Sequence, residues 1–151
     1  MNLLPRRSLL AIAAVVDIAY HARPAPIAAK ALAARHGLPP RHLETLLQVL
    51  VRSGILKGVR GPHGGYELAR ERRKISLAEI VRAAAGAADE GGAGADGADS
   101  RLVKAVVLPA VGRAAEAFLE RLNEITVDDL CRSAQDRHVF GESPPDYDFT
   151  I

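Results

Sequence analysis

Cysteine occurs once in the 151 residues, tryptophan not at all, and tyrosine and phenylalanine three times each. A single thiol excludes an internal disulfide framework and any zinc site needing two or more thiolates. Aromatics at 4% are too sparse for the stacking platforms of single-strand binders. No apolar run reaches the roughly 18 residues of a membrane-crossing helix, so no membrane partner is expected. What remains is globular in composition, 48% hydrophobic and 25% charged. A chain of this length makes one small domain, or one domain with an appendage.

The net charge of +2 conceals a lopsided distribution. Residues 1–75 hold 13 Lys and Arg against Asp17, Glu44, Glu67 and Glu71, a balance of +9. Residues 76–151 hold 7 against 14 acids, a balance of −7. A basic half joined to an acidic half points to one part that meets a polyanion, although chance clustering on a solvated surface gives the same numbers.

Arg6-Arg7 followed by an apolar run resembles a short twin-arginine export signal. Asp17 interrupts that run, and no small-residue cleavage site follows. Leu9, Leu10, Ile12, Ala13, Val15, Val16 and Ala19 instead fit a helix buried in a small core. Pro24 and Pro26 end it. A second helix is expected over Ile27–His36, with Ile27, Ala31 and Ala34 at helical spacing. Gly37 supplies a left-handed stop, and Pro40 suits the first turn of a third helix to about Ser53, apolar at Leu43, Leu46, Leu47 and Leu50. Gly54 ends it. Two strand-like runs, Ile55–Arg60 and Tyr66–Ala69, flank the loop Gly61-Pro62-His63-Gly64-Gly65. Ser76 with Glu79 is a capping box opening a helix through Ala85. Residues 86–100 form a low-complexity loop. The last long helix starts near Pro109 and carries a heptad-like stripe of Val111, Ala115, Phe118, Leu122 and Ile125. Thr126 with Asp129 caps one more short helix.

Two helices around a tight turn, followed by a third element and a hairpin, describe a winged helix-turn-helix. Ala33, four residues before Gly37, lets the helices cross closely, and Leu32, Leu38, Leu43 and Leu46 fill the wedge. Alanine-rich helix pairs can produce this spacing by accident. The third helix presents Arg41, His42, Glu44, Thr45 and Gln48 away from its leucines, as a recognition helix would. Glu44 can accept from cytosine N4, Gln48 can bond adenine, and Arg41 can hold phosphate or guanine; a solvated face is the bland reading of the same residues. Arg60 sits where a wing reaches the minor groove, and the loop glycines allow close approach to another molecule. A phosphate-cradling nucleotide loop is rejected, because the Walker spacing and the following helix are missing.

The stretches PRHLETLLQVLVRSGILKGVRGPHGGYELAR and ISLAEIVRAAAG closely resemble the Rrf2 family of bacterial winged-helix transcription regulators, the IscR-, NsrR- and CymR-like group. ITVDDL resembles their C-terminal end. The likeness covers about residues 9–86 well and 109–132 loosely, and the Arg-Gly-Pro-x-Gly-Gly-Tyr wing is its most specific part. It implies a homodimer, with the long C-terminal helices crossing at a twofold axis and Arg60 in the minor groove. Glu44 matches the family's base-contacting glutamate. Sensory members hold an iron–sulfur cluster through three cysteines in the loop after the fourth helix, and here residues 86–100 contain none. His21, His36, His42, His63 and His138 share no metal-ligand spacing, so no cofactor is expected. The chain also departs at Pro5-Arg6-Arg7-Ser8, where the family carries a Lys-Gly-Arg-Tyr-like start. Cys131 is either a small buried hydrophobe or a redox switch, which needs exposure and a lowered pKa.

The expected fold is mainly α with a small β-hairpin: a winged helix-turn-helix over 1–86, a flexible loop over 87–100, dimerisation helices over 101–140 and a loose tail over 141–151. The expected function is a cytoplasmic, homodimeric, sequence-specific regulator of double-stranded DNA, a repressor and not an enzyme, since no nucleophile motif or paired carboxylates stand in context. Lys30, Arg41, His42, Glu44, Thr45, Gln48, Arg60, Gly61, Pro62, His63, Gly64, Gly65 and Tyr66 form its DNA face. The alternative is a winged-helix protein-interaction module whose basic half docks an acidic protein.

Overall fold

The computed structural model describes residues 3–22, 25–89 and 100–141. Its first helix, α1 (Arg6–His21), begins after Pro5 and buries Ala11, Ala14, Val15 and Ile18 completely. The apolar run at the N-terminus is thus a core helix, with Leu9 left at the surface. Helix α2 (Ala29–His36) is shorter than the sequence pattern implies. Ile27 is extended and pairs with Tyr66 instead of opening the helix. Gly37 adopts φ 62°, and α3 (Pro40–Arg52) follows with proline in its first turn. Leu43, Leu46, Leu47, Val49 and Leu50 form its buried stripe, each large side chain contributing about 1.5–3 kcal/mol by leaving water.

Gly54, at φ 75°, turns the chain into β1 (Leu56–Val59), which pairs antiparallel with β2 (Gly65–Leu68). Leu56 faces Leu68 and Val59 faces Gly65. A 3-10 turn (Arg72–Lys74) leads to α4 (Leu77–Asp89), four residues longer than expected from the alanine run. The chain is helical again from Arg101. It passes through a π-helical stretch, Val103–Val107, into α5 (Leu108–Asn123) and then α6 (Val127–Asp136). The last long helix therefore begins well before Pro109. The Leu108 amide bonds back five residues to the Val103 carbonyl, and Pro109 falls in the first turn of the α-register that follows, where its missing N–H is harmless. The centre of the expected 87–100 loop and residues 142–151 of the expected tail lie outside the described residues.

Two capping boxes meet back to back. The Ser76 amide donates to Glu79 Oε2 at 2.9 Å and the Glu79 amide to Ser76 Oγ at 3.3 Å. Thr126 and Asp129 make the same reciprocal pair at the start of α6. Between them Leu77 donates to the Ile125 carbonyl and Val127 to the Ile75 carbonyl, both at 2.9 Å. Burial pushes the Glu79 carboxyl up, but bonds from Ser76 and the Arg70 charge outweigh it, leaving it below the ordinary range. Bonds from Thr126 hold Asp129 low in the same way. This seam draws Leu122, Val127 and Cys131 into the same buried cluster as α1, α3 and α4.

The heptad-like stripe needs correction here. Leu122 is buried in the chain's own core, and Phe118 and Ile125 pack half-buried against it. That part of the stripe packs on this chain's own core, where α5 lies against α4. The apolar side chains left in water lie about two to four turns before Phe118, at Leu102, Val106, Val107, Leu108 and Val111, with Ala115 also exposed.

Candidate nucleic-acid interface

The turn between α2 and α3 is built by small residues. Ala33 is buried, and its carbonyl accepts from the Leu38 amide at 3.0 Å. Leu32, Leu43 and Leu46 fill the space between the helices, with Leu38 half-buried at the edge. This packing turns the opposite face of α3 outward, so Arg41, His42, Glu44, Thr45 and Gln48 are all exposed. Thr45 Oγ1 donates back to the Arg41 carbonyl at 3.2 Å, which leaves its lone pairs, not its proton, for a partner. Lys30 is exposed on α2.

The hairpin places Arg60, Gly61, Pro62 and His63 at its exposed tip, with Gly64, Gly65 and Tyr66 half-buried behind them. Gly61 sits at φ 117° and accepts from the Gly64 amide at 3.0 Å. The other two glycines serve the fold, which corrects the sequence reading. A Cβ on Gly64 would lie 2.2 Å from the Val59 carbonyl oxygen, and one on Gly65 would lie 2.3 Å from that of Ile27. Backbone of this chain, not of another molecule, makes the close approach. Tyr66 and Ile27 exchange two hydrogen bonds, at 2.8 and 2.9 Å, which tie the wing to the entry of α2.

Recognition helix and wing share one shallow groove of about 390 Å³, lined by Ala29, Glu44, Gly58, Val59, Arg60, Gly65 and Tyr66. Glu44 and Arg60, 16 positions apart in sequence, face the same space. Ala29, Gly58 and Val59 were not expected there. Gly58 carried a usable signal: a Cβ at this position meets nothing within 4 Å, so packing does not demand glycine and its absence of side chain keeps the groove open.

Charge pairing separates this face from its surroundings. A larger cleft of about 1000 Å³ lies between α1, the hairpin base and α6. There Lys57 pairs with Glu67 at 3.0 Å and Arg72 with Asp128 at 2.7 Å, and Arg70 reaches Glu79 at 3.0 Å. Among the described residues no ion pair engages Lys30, Arg41 or Arg60. Arg60 lines the groove beside Glu44, and Lys30 and Arg41 stand exposed on α2 and α3, whereas Lys57, Arg70 and Arg72 of the cleft are paired with acids.

Cys131 is 2% exposed, with Sγ 3.9 Å from the Val16 carbonyl. Burial pushes its thiol pKa up. The redox-switch reading is thereby corrected, because a reactive thiol needs access and a lowered pKa.

A family profile described as "Rrf2: Iron-dependent Transcriptional regulator" matches residues 4–133. Protein rrf2 of Nitratidesulfovibrio vulgaris is 32% identical over 136 residues, covering 87% of this chain and 88% of that one. The regulator IscR of Xenorhabdus nematophila is 33% identical over 100 residues, 64% of this chain and 61% of that one. Among solved structures, IscR of T. potens aligns over 90% of both chains with a TM-score of 0.67 and 30% identity. CymR of B. subtilis aligns over 88% of this chain and 98% of its own at TM-score 0.63 and 24% identity, a likeness of fold alone. The winged-helix architecture is shared by these structures. The iron of the profile's description finds no thiolate set here. The one cysteine is enclosed in the core, and among the described residues no group of three His, Cys, Asp or Glu could hold a metal ion.

Proposed function

We propose, from the premise that this chain belongs to the Rrf2 family of transcriptional regulators, that it is a homodimeric, sequence-specific repressor that works without an iron–sulfur cluster. The observation that carries the reading is the common groove of Glu44 and Arg60. One duplex can meet α3 in its major groove and Arg60 in the adjacent minor groove only if both side chains open onto the same surface. Exposed Lys30 and Arg41 supply phosphate contacts, Glu44 and Gln48 read base edges, and His42, Thr45 and His63 flank them.

Dimerisation rests on the exposed apolar side chains of Leu102, Val106, Val107, Leu108 and Val111. Several large apolar side chains exposed along one stretch of helix mark an interface more often than bare solvent. A twofold dimer sets two α3 helices about 34–36 Å apart or a multiple of it, so the operator is near-palindromic. The cluster-free reading rests on the mismatch between one buried thiol and the several ligands a cluster requires. Among the described residues no helix is long and apolar enough to cross a membrane, and binding to chromosomal DNA places the protein in the cytoplasm.

Selection of bound duplexes from a random pool tests the whole reading. The expected result is a palindromic consensus whose affinity falls steeply with salt through counterion release. Failure to retain any duplex at low salt sinks it and favours a protein-docking module.

A further inference from the structure

We propose that Asp17 is the positioning residue of the helix-turn-helix, fixing the angle at which α3 is presented; the proposal rests on the DNA-binding reading above. Asp17 lies one turn before the C-terminal end of α1 and is fully buried, yet its carboxylate accepts from three side chains. Arg35 donates through Nη2 to Oδ1 at 2.7 Å and through Nε to Oδ2 at 3.0 Å. His21 donates through Nδ1 to Oδ1 and His36 through Nε2 to Oδ2, both at 2.9 Å. Burial pushes the carboxyl up, and the Arg35 contact, with the His21 charge and the His36 bond, more than reverses it, so it stays below the ordinary aspartate range.

The place of these partners gives the cluster its meaning. Arg35 and His36 are the last two residues of α2, immediately before left-handed Gly37 and the turn into α3. The rest of α2 is alanine-rich and buries only Leu32 and Ala33 completely. Such a small, smooth apolar face resists sliding and rotation weakly. A forked guanidinium on a carboxylate is directional, so it holds one angle where alanines would accept several. The carboxylate is fully buried while 36% of the Arg35 side chain stays exposed; such pairs seldom add much net stability, which leaves registry as their best-attested role. Here the registry is that of the reading head on its base.

The test separates registry from stability. Asp17→Leu with Arg35→Met replaces the pair by apolar side chains, and a duplex selected by the wild-type protein is compared with a random duplex. The double variant is expected to melt cooperatively and to bind random duplex within about twofold of wild type, since phosphate contacts carry no sequence information. Its preference for the selected duplex is expected to fall about tenfold, as when one base contact is misplaced. A folded double variant with full preference overturns the proposal. Should that variant fail to fold, Asp17→Glu keeps the charge but displaces α2 by a methylene. Loss of preference in Asp17→Glu supports the proposal, and full preference overturns it. Amide hydrogen exchange at Gly37 and Leu38 gives a reading without DNA, with rates raised in the variants and α4 unaffected. Unchanged rates overturn the positioning role, whereas a wild-type protein that binds no duplex sinks the DNA reading instead.

Discussion

Glu44 is an exposed acid on a face that also carries Lys30, Arg41 and Arg60, and an acid facing phosphates is costly unless it meets a base edge. Glu44→Ala is therefore expected to relax discrimination at one base position by about 1–3 kcal/mol while affinity for random duplex holds or rises. Competition binding against single-base operator variants checks it, and equal loss on every sequence would refute the assigned role. Cys131 leads to the opposite kind of prediction. A thiol at 2% exposure with its pKa pushed up should react with a thiol reagent only as the protein unfolds. Labelling at the native rate of an exposed cysteine would show the core opens there. Single residues differ in how much of this was legible. Glu44 and Arg60 declared themselves because exposure follows from helical and hairpin periodicity. Asp17 did not, because it reads as a polar interruption in an apolar run. Its partners Arg35 and His36 lie 18 and 19 positions away, beyond any local pattern.

Elements were legible where their signals are local. Gly37, Pro40 and the two capping boxes fix helix ends through their own backbone geometry, and each end fell within a few residues of its expected place. Thr126→Ala should cost about 1 kcal/mol in chemical denaturation, the usual value of a lost cap. The wing glycines were harder, since a flexible loop and a crowded backbone ask for the same residue. Gly65→Ala separates the two. Its Cβ would sit against the Ile27 carbonyl, and the strain is expected to cost on the order of 1–3 kcal/mol of stability without any DNA present. A neutral effect on stability with a loss confined to DNA binding would restore the earlier reading. The stripe along α5 divides for a comparable reason, because a heptad pattern states that a face is apolar but not which neighbour covers it. Its C-terminal part packs on this chain's own core, while Val111 and Ala115 stay exposed.

At the scale of the molecule, Val106→Asp with Val111→Asp should convert the proposed dimer to a folded monomer by light scattering, since both side chains stand in water in the single subunit, at 58% and 57% exposure. A dimer that survives both charges uses another surface. Stability should also respond to acid with a definite sign. Asp17, Glu79 and Asp129 all have lowered pKa values, so their contribution is complete above the ordinary carboxylate range and is lost as pH falls through the lowered values. The melting temperature should hold to about pH 5 and drop below about pH 4. A melting curve that is flat to lower pH would deny these bonds their share. The bridge between Ile27 and Tyr66 has a last consequence. Because the hairpin is stitched to the lead-in of α2, probe and prong are set like the jaws of a caliper locked at one opening. On the proposed duplex, inserting a single base pair between the segments that α3 and Arg60 would meet swings one of them by about 35° around the duplex axis, and a locked caliper has no joint with which to follow.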